Sequence, residues 1–143
     1  MTDQAEQPLP QGKYRPAVRH GDIVYTSGMT PRRNGELQFV GQIETSADHS
    51  DYRDAVRLAT QNALTAARSC LADGEQIAAA LQLNVYLNAA TGFTAHSKLA
   101  DFASEYLFEE LGAVGIGSRA AIGVATLPSN APVEITITLA VAA

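Results

Sequence analysis

The chain has 143 residues, 46% of them hydrophobic and 17% charged, which is typical of a single globular domain. Its formal net charge of -5 argues against nucleic acid as the main partner, because such affinity comes largely from clustered Lys and Arg. No apolar run approaches the ~20 residues of a membrane span and no secretory segment is recognisable, so we expect a cytoplasmic protein with no membrane partner.

The opening of the chain reads as a polar tail followed by strands. Residues 1–12 contain Pro and Gln and few apolar side chains, predicting a flexible N-terminal tail ahead of one domain at 13–143. Two strands are predicted at Tyr14–Val18 and Ile23–Thr26. The Asn-Gly pair at 34–35 predicts a tight turn leading into a further strand at 37–40. This region also has a local excess of arginine, at positions 15, 19, 32 and 33.

Helical and strand periodicities alternate through the middle of the chain. Small and apolar residues recur every three or four positions from Asp51 or Tyr52 to about Leu71, predicting a first helix. A strand follows in which Gln, Asn and Tyr alternate with apolar residues, at Leu81, Leu83, Val85 and Leu87. Apolar residues from Ala95 to Leu107 then recur at helical spacing, and Gly112 lies just past the end of this second helix.

Two strands close the chain, and each carries one candidate functional residue. In the last strand Glu134 alternates with apolar residues and therefore points away from the core. In the preceding strand the residues that share the parity of Arg119 are small, as at Ala121 and Gly123, which predicts free volume beside the guanidinium. A guanidinium binds a carboxylate bidentately, and a carboxylate can orient a water and transfer protons. Arg119 and Glu134 together suit a small carboxylate-bearing substrate.

The predicted order β-β-α-β-α-β-β indicates an α+β fold, with one sheet and two helices on one face. The second face of the sheet carries Asn, Gln, Thr and Glu134, and no predicted element covers it. That face is either solvated or an interface.

Few other catalytic or ligand-binding motifs stand out. Cys70 is the only cysteine, which excludes an internal disulfide, and its place on the apolar side of a helix-like run predicts an inert buried thiol. The three histidines, His20, His49 and His96, lack the spacing of a helical metal site. No phosphate-binding Gly-rich loop or serine-hydrolase elbow is present. We expect neither a metal nor a cofactor.

The C-terminal motif resembles the signature of the Rid (YjgF/YER057c/UK114) family of enamine/imine deaminases. That signature is an Arg, a strand, Leu-Pro, a short turn and Val/Ile-Glu-Ile, read here as Arg119, Leu127-Pro128 and Val133-Glu134-Ile135. A second element is a Tyr, a turn and an apolar strand ending in Ser-Gly, read here as Tyr14, Ser27 and Gly28.

The resemblance implies a chorismate-mutase-like fold assembled as a homotrimer with clefts between neighbouring chains. It implies cofactor-free hydrolysis of small imino acids, such as 2-iminopropanoate and 2-iminobutanoate, to keto acid and ammonia. Arg119 would then bind the substrate carboxylate, and Glu134 would position water and move protons. Tyr14 is the third candidate catalytic residue and would also shape the pocket. Three further residues would bind the substrate, namely Ser27, Gly28 and Ala121. Without the resemblance, the residues alone favour Arg119 as a surface residue at a strand edge, or as an ion-pair partner of Glu134, over a role in binding an anion.

Some positions depart from the family pattern. Met29 and Ala121 stand where many members carry Gln and Cys, Ser97 replaces an Asn four residues after Phe93, and the segment 93–118 is longer. These departures predict a divergent branch. Two other functions stay open: a trimer that binds metabolites or a partner protein without turnover, and the endoribonuclease activity attributed to some relatives. The negative charge and the lack of an aromatic-basic groove disfavour the latter.

Overall fold

The computed structural model describes residues 6–143 and contains one five-stranded sheet, a separate short hairpin and two long helices. In chain order the elements are β1 (Ala17–His20), β2 (Ile23–Thr26), β3 (Arg32–Arg33), β4 (Glu36–Leu37), α1 (Arg53–Arg68), β5 (Gln76–Asn88), α2 (His96–Leu111), β6 (Ser118–Val124) and β7 (Val133–Ala142). The main sheet has the order β1-β2-β7-β5-β6. The predicted α+β fold with one main sheet and two helices is confirmed, with the β3–β4 hairpin as an addition.

The core lies between the sheet and the two helices. Three alanines of α1, at Ala59, Ala63 and Ala67, are fully buried, and small side chains let the helix approach the sheet closely. In β7 every second residue from Val133 is buried while the alternate residues are only partly covered. One face of the sheet is therefore the helix-packed face and the other is open.

The connection through α2 makes β5 and β6 parallel neighbours, whereas the other pairs in the sheet are antiparallel. A parallel pair needs such a crossover, and here the crossover helix covers the edge of the sheet at β6. Partners in register share a face of the sheet, so the pairings decide which side chains can meet.

The strand β5 is longer and less regular than its alternating pattern predicts. Its register with β7 shifts between Ile77 and Ala79 and again between Ala80 and Gln82. A β-bulge adds a residue and changes which face the next side chain occupies. Leu81, predicted to be buried, is therefore 41% exposed.

The remaining boundary differences are local. Asn34 and Gly35 do form the predicted tight turn, with φ of 55° and 78°, but the strand predicted at 37–40 is only Glu36–Leu37. The first strand begins at Ala17, so Tyr14 precedes it rather than lying within it. The first helix ends at Arg68. Cys70 therefore lies beyond the helix, and its partial exposure corrects the prediction of a buried thiol.

The described part of the predicted tail is irregular and mostly exposed. Gln7 Nε2 donates to the Thr65 carbonyl at 3.5 Å, and the backbone N–H of Gln11 donates to the Tyr14 hydroxyl at 3.1 Å. The flexibility predicted for residues 1–12 stays a prediction, and residues 1–5 lie outside the described residues. Between residues 6 and 143, no helix combines the length and apolar character needed to cross a membrane.

Candidate functional site

A cleft of about 720 Å³ brings together three of the predicted site residues, Tyr14, Gly28 and Glu134. One wall comes from the irregular segment between Glu6 and Gln11, and another from the β3–β4 hairpin, which contributes Arg32 and Arg33. The volume lies in the range of roughly 300–1,000 Å³ that is usual for small-molecule sites. This cleft is the candidate functional site.

Glu134 is the reactive group that this cleft offers. It lies near the start of β7 on the open face of the sheet, where its side chain is partly buried. Within residues 6–143 no hydrogen bond or ion pair engages its carboxylate, and burial raises its pKa above the usual value for a glutamate. A partly desolvated, unpaired carboxylate at a cleft wall suits proton transfer to and from a bound molecule.

Gly28 is required by the position of that carboxylate. A Cβ at residue 28 would lie 2.7 Å from Glu134 Cδ and 3.0 Å from its Cγ, so any side chain there would collide with the glutamate. The next residue, Met29, is buried and exchanges two backbone hydrogen bonds of 2.8 Å with Ile135. These bonds hold the backbone at residue 28 against the strand that carries Glu134.

Ser27 does not line the cleft, although the sequence predicts it as a binding residue. Its hydroxyl donates to the Arg15 carbonyl at 2.5 Å, and its backbone N–H donates to the Pro16 carbonyl at 2.8 Å. Ser27 therefore fixes the loop that leads to Gly28. Tyr14 does line the cleft, with 46% of its surface exposed and its hydroxyl accepting the hydrogen bond from Gln11.

Arg119 lies away from this cleft, under helix α2. Its guanidinium donates to Asp101 Oδ1 at 2.8 Å, to Ser104 Oγ at 2.9 Å and to Ser97 Oγ at 2.8 Å. The side chain is 23% exposed. Four of the five guanidinium N–H groups point at these helix residues once a longer contact to the Ser97 carbonyl is included, which leaves Nε–H as the remaining donor.

The small residues beside Arg119 do not leave the free volume predicted from the sequence. A Cβ at Gly123 would lie 2.5 Å from His96 Nε2, because the first residue of α2 fills that space. Ala121 packs against the hydrophobic core. The small side chains make room for helix α2 rather than for a ligand. The prediction of free volume beside Arg119 is therefore wrong within one chain.

Arg119 and Glu134 do not meet within the chain. In register, Arg119 pairs with Leu83, a buried residue of the helix-packed face, whereas Glu134 pairs with Tyr86 on the open face. Strand β5 separates their two strands. The alternative prediction of an ion pair between Arg119 and Glu134 is therefore wrong, because Arg119 forms its ion pair with Asp101.

Arg33 also lines the cleft, although it belongs to none of the sequence motifs that identify the other candidate residues. It is exposed on β3, and across residues 6–143 its side chain has no hydrogen bond or ion pair. Arg32 is different, since it donates to the Gly35 carbonyl at 2.8 Å and to Ser129 Oγ at 3.1 Å. The signal in the sequence was the local excess of arginine in the first third of the chain.

The described residues form no candidate metal site. Over residues 6–143 there is no group of three or more His, Cys, Asp or Glu side chains placed to hold a metal ion.

The chain resembles known proteins over nearly its whole length. Residues 4–139 match a family model described as "YjgF/chorismate_mutase-like, putative endoribonuclease". Protein TCP17 of Trypanosoma cruzi is 29% identical over 127 residues, which cover 88% of this chain and 79% of that protein.

Two solved structures are similar in both fold and sequence. Atu1372 from Agrobacterium tumefaciens, a protein of unknown function, is 28% identical with a TM-score of 0.85, over 95% of this chain and 86% of that one. A protein described as a "putative endoribonuclease" from Shewanella oneidensis is 28% identical with a TM-score of 0.86, over 96% of this chain and 91% of that one.

Proposed function

The chain belongs to the YjgF/chorismate mutase-like family, and from this premise we propose that it hydrolyses small reactive enamine and imine acids to keto acid and ammonia. The observation that carries the proposal is Glu134, which lines the cleft and whose carboxylate has no protein partner among residues 6–143. Burial raises its pKa, and a stronger base accepts a proton from water more readily. No cofactor takes part in the proposed reaction.

The proposed reaction needs one water and one proton carrier. Glu134 orients the water and accepts its proton as the oxygen bonds to the imine carbon. The carboxyl group then returns that proton to the nitrogen, which gives a tetrahedral carbinolamine. In a second transfer the carboxylate takes the proton of the hydroxyl group and passes it to the same nitrogen, so that the carbon–nitrogen bond breaks, ammonia leaves and the oxygen becomes the ketone oxygen. Tyr14 and the backbone at Gly28 shape the space around the reacting carbon. General acid–base catalysis of this kind accelerates reactions by roughly 10² to 10⁴-fold.

The substrate carboxylate is assigned to Arg119 of a neighbouring chain. Because Arg119 and Glu134 lie on opposite faces of the sheet, a site that uses both has to form between two chains. The open face offers an interface, since Val18, Tyr25 and Ile122 expose 50%, 51% and 41% of their surfaces. We therefore include assembly into a homotrimer with shared clefts in the proposal. An arriving carboxylate would compete with Asp101 for the guanidinium.

A metabolite-binding trimer without turnover is the second candidate. An arginine alone suffices to bind an acid, whereas a second, unpaired carboxylate in the cleft would repel it. Glu134 is therefore the observation that favours catalysis. The family model and the Shewanella protein are described as endoribonucleases. Nothing among residues 6–143 favours that activity for this chain, and its net charge of -5 opposes RNA binding.

The test is release of ammonia and keto acid from freshly generated 2-iminopropanoate and 2-iminobutanoate. We expect the wild type to accelerate hydrolysis and both Arg119→Ala and Glu134→Ala to lose that acceleration while remaining folded. Glu44→Gln, which changes an exposed carboxylate outside the cleft, is the matched control and should behave as wild type. A wild-type rate equal to the uncatalysed rate for several imino acids would refute the deaminase proposal, and salt-sensitive cleavage of RNA would replace it.

Assembly is measured separately by light scattering. A trimer is expected, and a monomer at assay concentrations would remove the shared cleft and with it the role given to Arg119.

A further inference from the structure

The cleft is larger than a short imino acid requires. Its volume of about 720 Å³ lies in the upper part of the range of roughly 300–1,000 Å³ found for pockets that bury drug-sized ligands. A molecule such as 2-iminobutanoate would occupy only the part next to Glu134. The remainder extends to the β3–β4 hairpin and to the segment that precedes Tyr14.

Arg33 supplies a positive charge in this remaining part of the cleft. Five other arginines are paired with carboxylates, namely Arg19 with Glu75, Arg53 with Asp54, Arg57 with Glu109, Arg68 with Glu110 and Arg119 with Asp101. Arg33 has no ion pair in the described range 6–143, although Glu36 is its partner in register on β4. Glu6, the other carboxylate near the hairpin, accepts a hydrogen bond from the Asn34 amide when that amide is oriented to donate.

The hairpin that presents Arg33 is fixed to its surroundings. Asn62 of α1 donates to the carbonyls of Thr30 and Arg32 at 3.1 and 2.9 Å. The Arg32 guanidinium ties the turn to Ser129, which also lines the cleft. A cation on a fixed element loses less conformational freedom when it binds a ligand than a cation on a loose loop does.

Glu134 and Arg33 line the cleft from different elements. Glu134 lies near the start of β7, and Arg33 lies on the β3–β4 hairpin. They are therefore placed to contact different parts of a molecule that is long enough to reach both. Apolar surface of Met29 and Leu58 also lines the cleft and suits a short hydrocarbon spacer.

We propose that Arg33 binds a second anionic group of the substrate, so that the preferred substrates are imino acids with a distal carboxylate rather than short apolar ones. This inference rests on the proposed deaminase function and names its substrate class. Glu134 would act on the imine carbon, Arg119 of the neighbouring chain would hold the α-carboxylate, and Arg33 would hold the carboxylate at the far end. A guanidinium matches a carboxylate with two parallel hydrogen bonds.

The experiment compares kcat/KM for iminosuccinate and 2-iminoglutarate with kcat/KM for 2-iminobutanoate, each generated in situ. The variants are Arg33→Gln and, as the matched control, Arg53→Gln, which removes an exposed arginine outside the cleft. We expect the wild type to prefer the dicarboxylic imines. Arg33→Gln should lower kcat/KM for them by about tenfold or more, mainly through KM, because a hydrogen bond between charged groups is lost.

The same substitution should leave 2-iminobutanoate within about twofold of wild type, since that substrate does not reach Arg33. Arg53→Gln should change neither class. The inference is overturned if the wild type shows no preference for dicarboxylic imines, or if Arg33→Gln lowers both classes equally.

A different result would refute the proposed function instead. If the wild type hydrolyses none of the imines, calorimetric titration with oxaloacetate and 2-oxobutanoate still decides the role of Arg33. Tighter binding of oxaloacetate that is lost in Arg33→Gln would uphold a second anion site in a binding protein. Equal binding of the two keto acids would overturn it.

Discussion

Substitution of Gly28 by alanine separates the catalytic role of Glu134 from its structural role. The added Cβ would lie 2.7 Å from Glu134 Cδ, about 0.8 Å closer than the roughly 3.5 Å at which two carbon atoms attract each other best. Gly28 has no positive φ, so alanine brings no backbone strain. The collision is therefore relieved by movement of the Glu134 side chain, which is only partly buried and can rotate.

This movement predicts a large effect on activity and a small one on stability. Misplacement of a reacting group by about 1 Å can lower a rate by about 100-fold. A side chain that is pushed about 30° away from its rotamer costs about 0.5–1.5 kcal/mol. We therefore expect Gly28→Ala to lose about two orders of magnitude in kcat/KM for 2-iminobutanoate, while its free energy of unfolding in urea falls by no more than about 1.5 kcal/mol.

The assay includes a double-mutant cycle with Glu134→Gln. If Gly28→Ala acts through the carboxylate, adding it to Glu134→Gln should cause little further loss of activity, because the displaced group is already absent. Full activity in Gly28→Ala would show that the reaction does not depend on the position of the Glu134 carboxylate. Equal losses in both backgrounds would show that Gly28 acts independently.

Two further predictions concern protonation and packing. Burial raises the pKa of Glu134 in the folded state above its value in the unfolded chain, so folding favours the protonated side chain. The stability that the protonated side chain contributes is complete at pH values below the unfolded pKa, and it is lost as the pH rises through the folded pKa. Glu134→Gln should therefore be more stable than wild type near pH 7 in urea unfolding, with a gain that shrinks near pH 4. Gly117→Ala places a Cβ 2.8 Å from the carbonyl carbon of Ala80, where backbone rather than a mobile side chain has to give way. It should cost about 1–3 kcal/mol of unfolding free energy, and a loss below about 0.5 kcal/mol would contradict the close approach of these strands.

Periodicity was enough to predict the order of the two helices and of the strands of the main sheet. The alternation from Val133 onward and the helical spacing of α1 and α2 are set by burial against one face, and the structure keeps them. The pattern failed at Leu81 because it assumes an unbroken register, whereas β5 contains a β-bulge there. A bulge depends on how a partner strand is placed, and that information lies elsewhere in the chain.

The arrangement of the site could not be predicted from strand parity alone. Parity shows correctly that Arg119 shares a face with Ala121 and Gly123, but it does not show which face of the sheet that is. The pairing of Arg119 with Leu83 places this face under α2, and Ile122 lies on the open face. Bulky apolar residues usually mark the core, so Ile122 gave a misleading signal.

Mixing two inactive variants tests the shared cleft directly. Arg119→Ala keeps Glu134, and Glu134→Ala keeps Arg119. If each cleft takes Arg119 from one chain and Glu134 from its neighbour, random co-assembly of equal amounts gives about one quarter of the clefts both intact residues, because each of the two positions is intact with a chance of about one half.

Co-refolding the two variants should therefore restore about one quarter of the wild-type rate per cleft, whereas each variant refolded alone stays inactive. If one chain supplied both residues, no mixture would contain an intact site and the rate would stay at zero. This outcome would contradict the shared cleft. Recovery of activity in the mixture would show that the two faces of the sheet act together only across an interface.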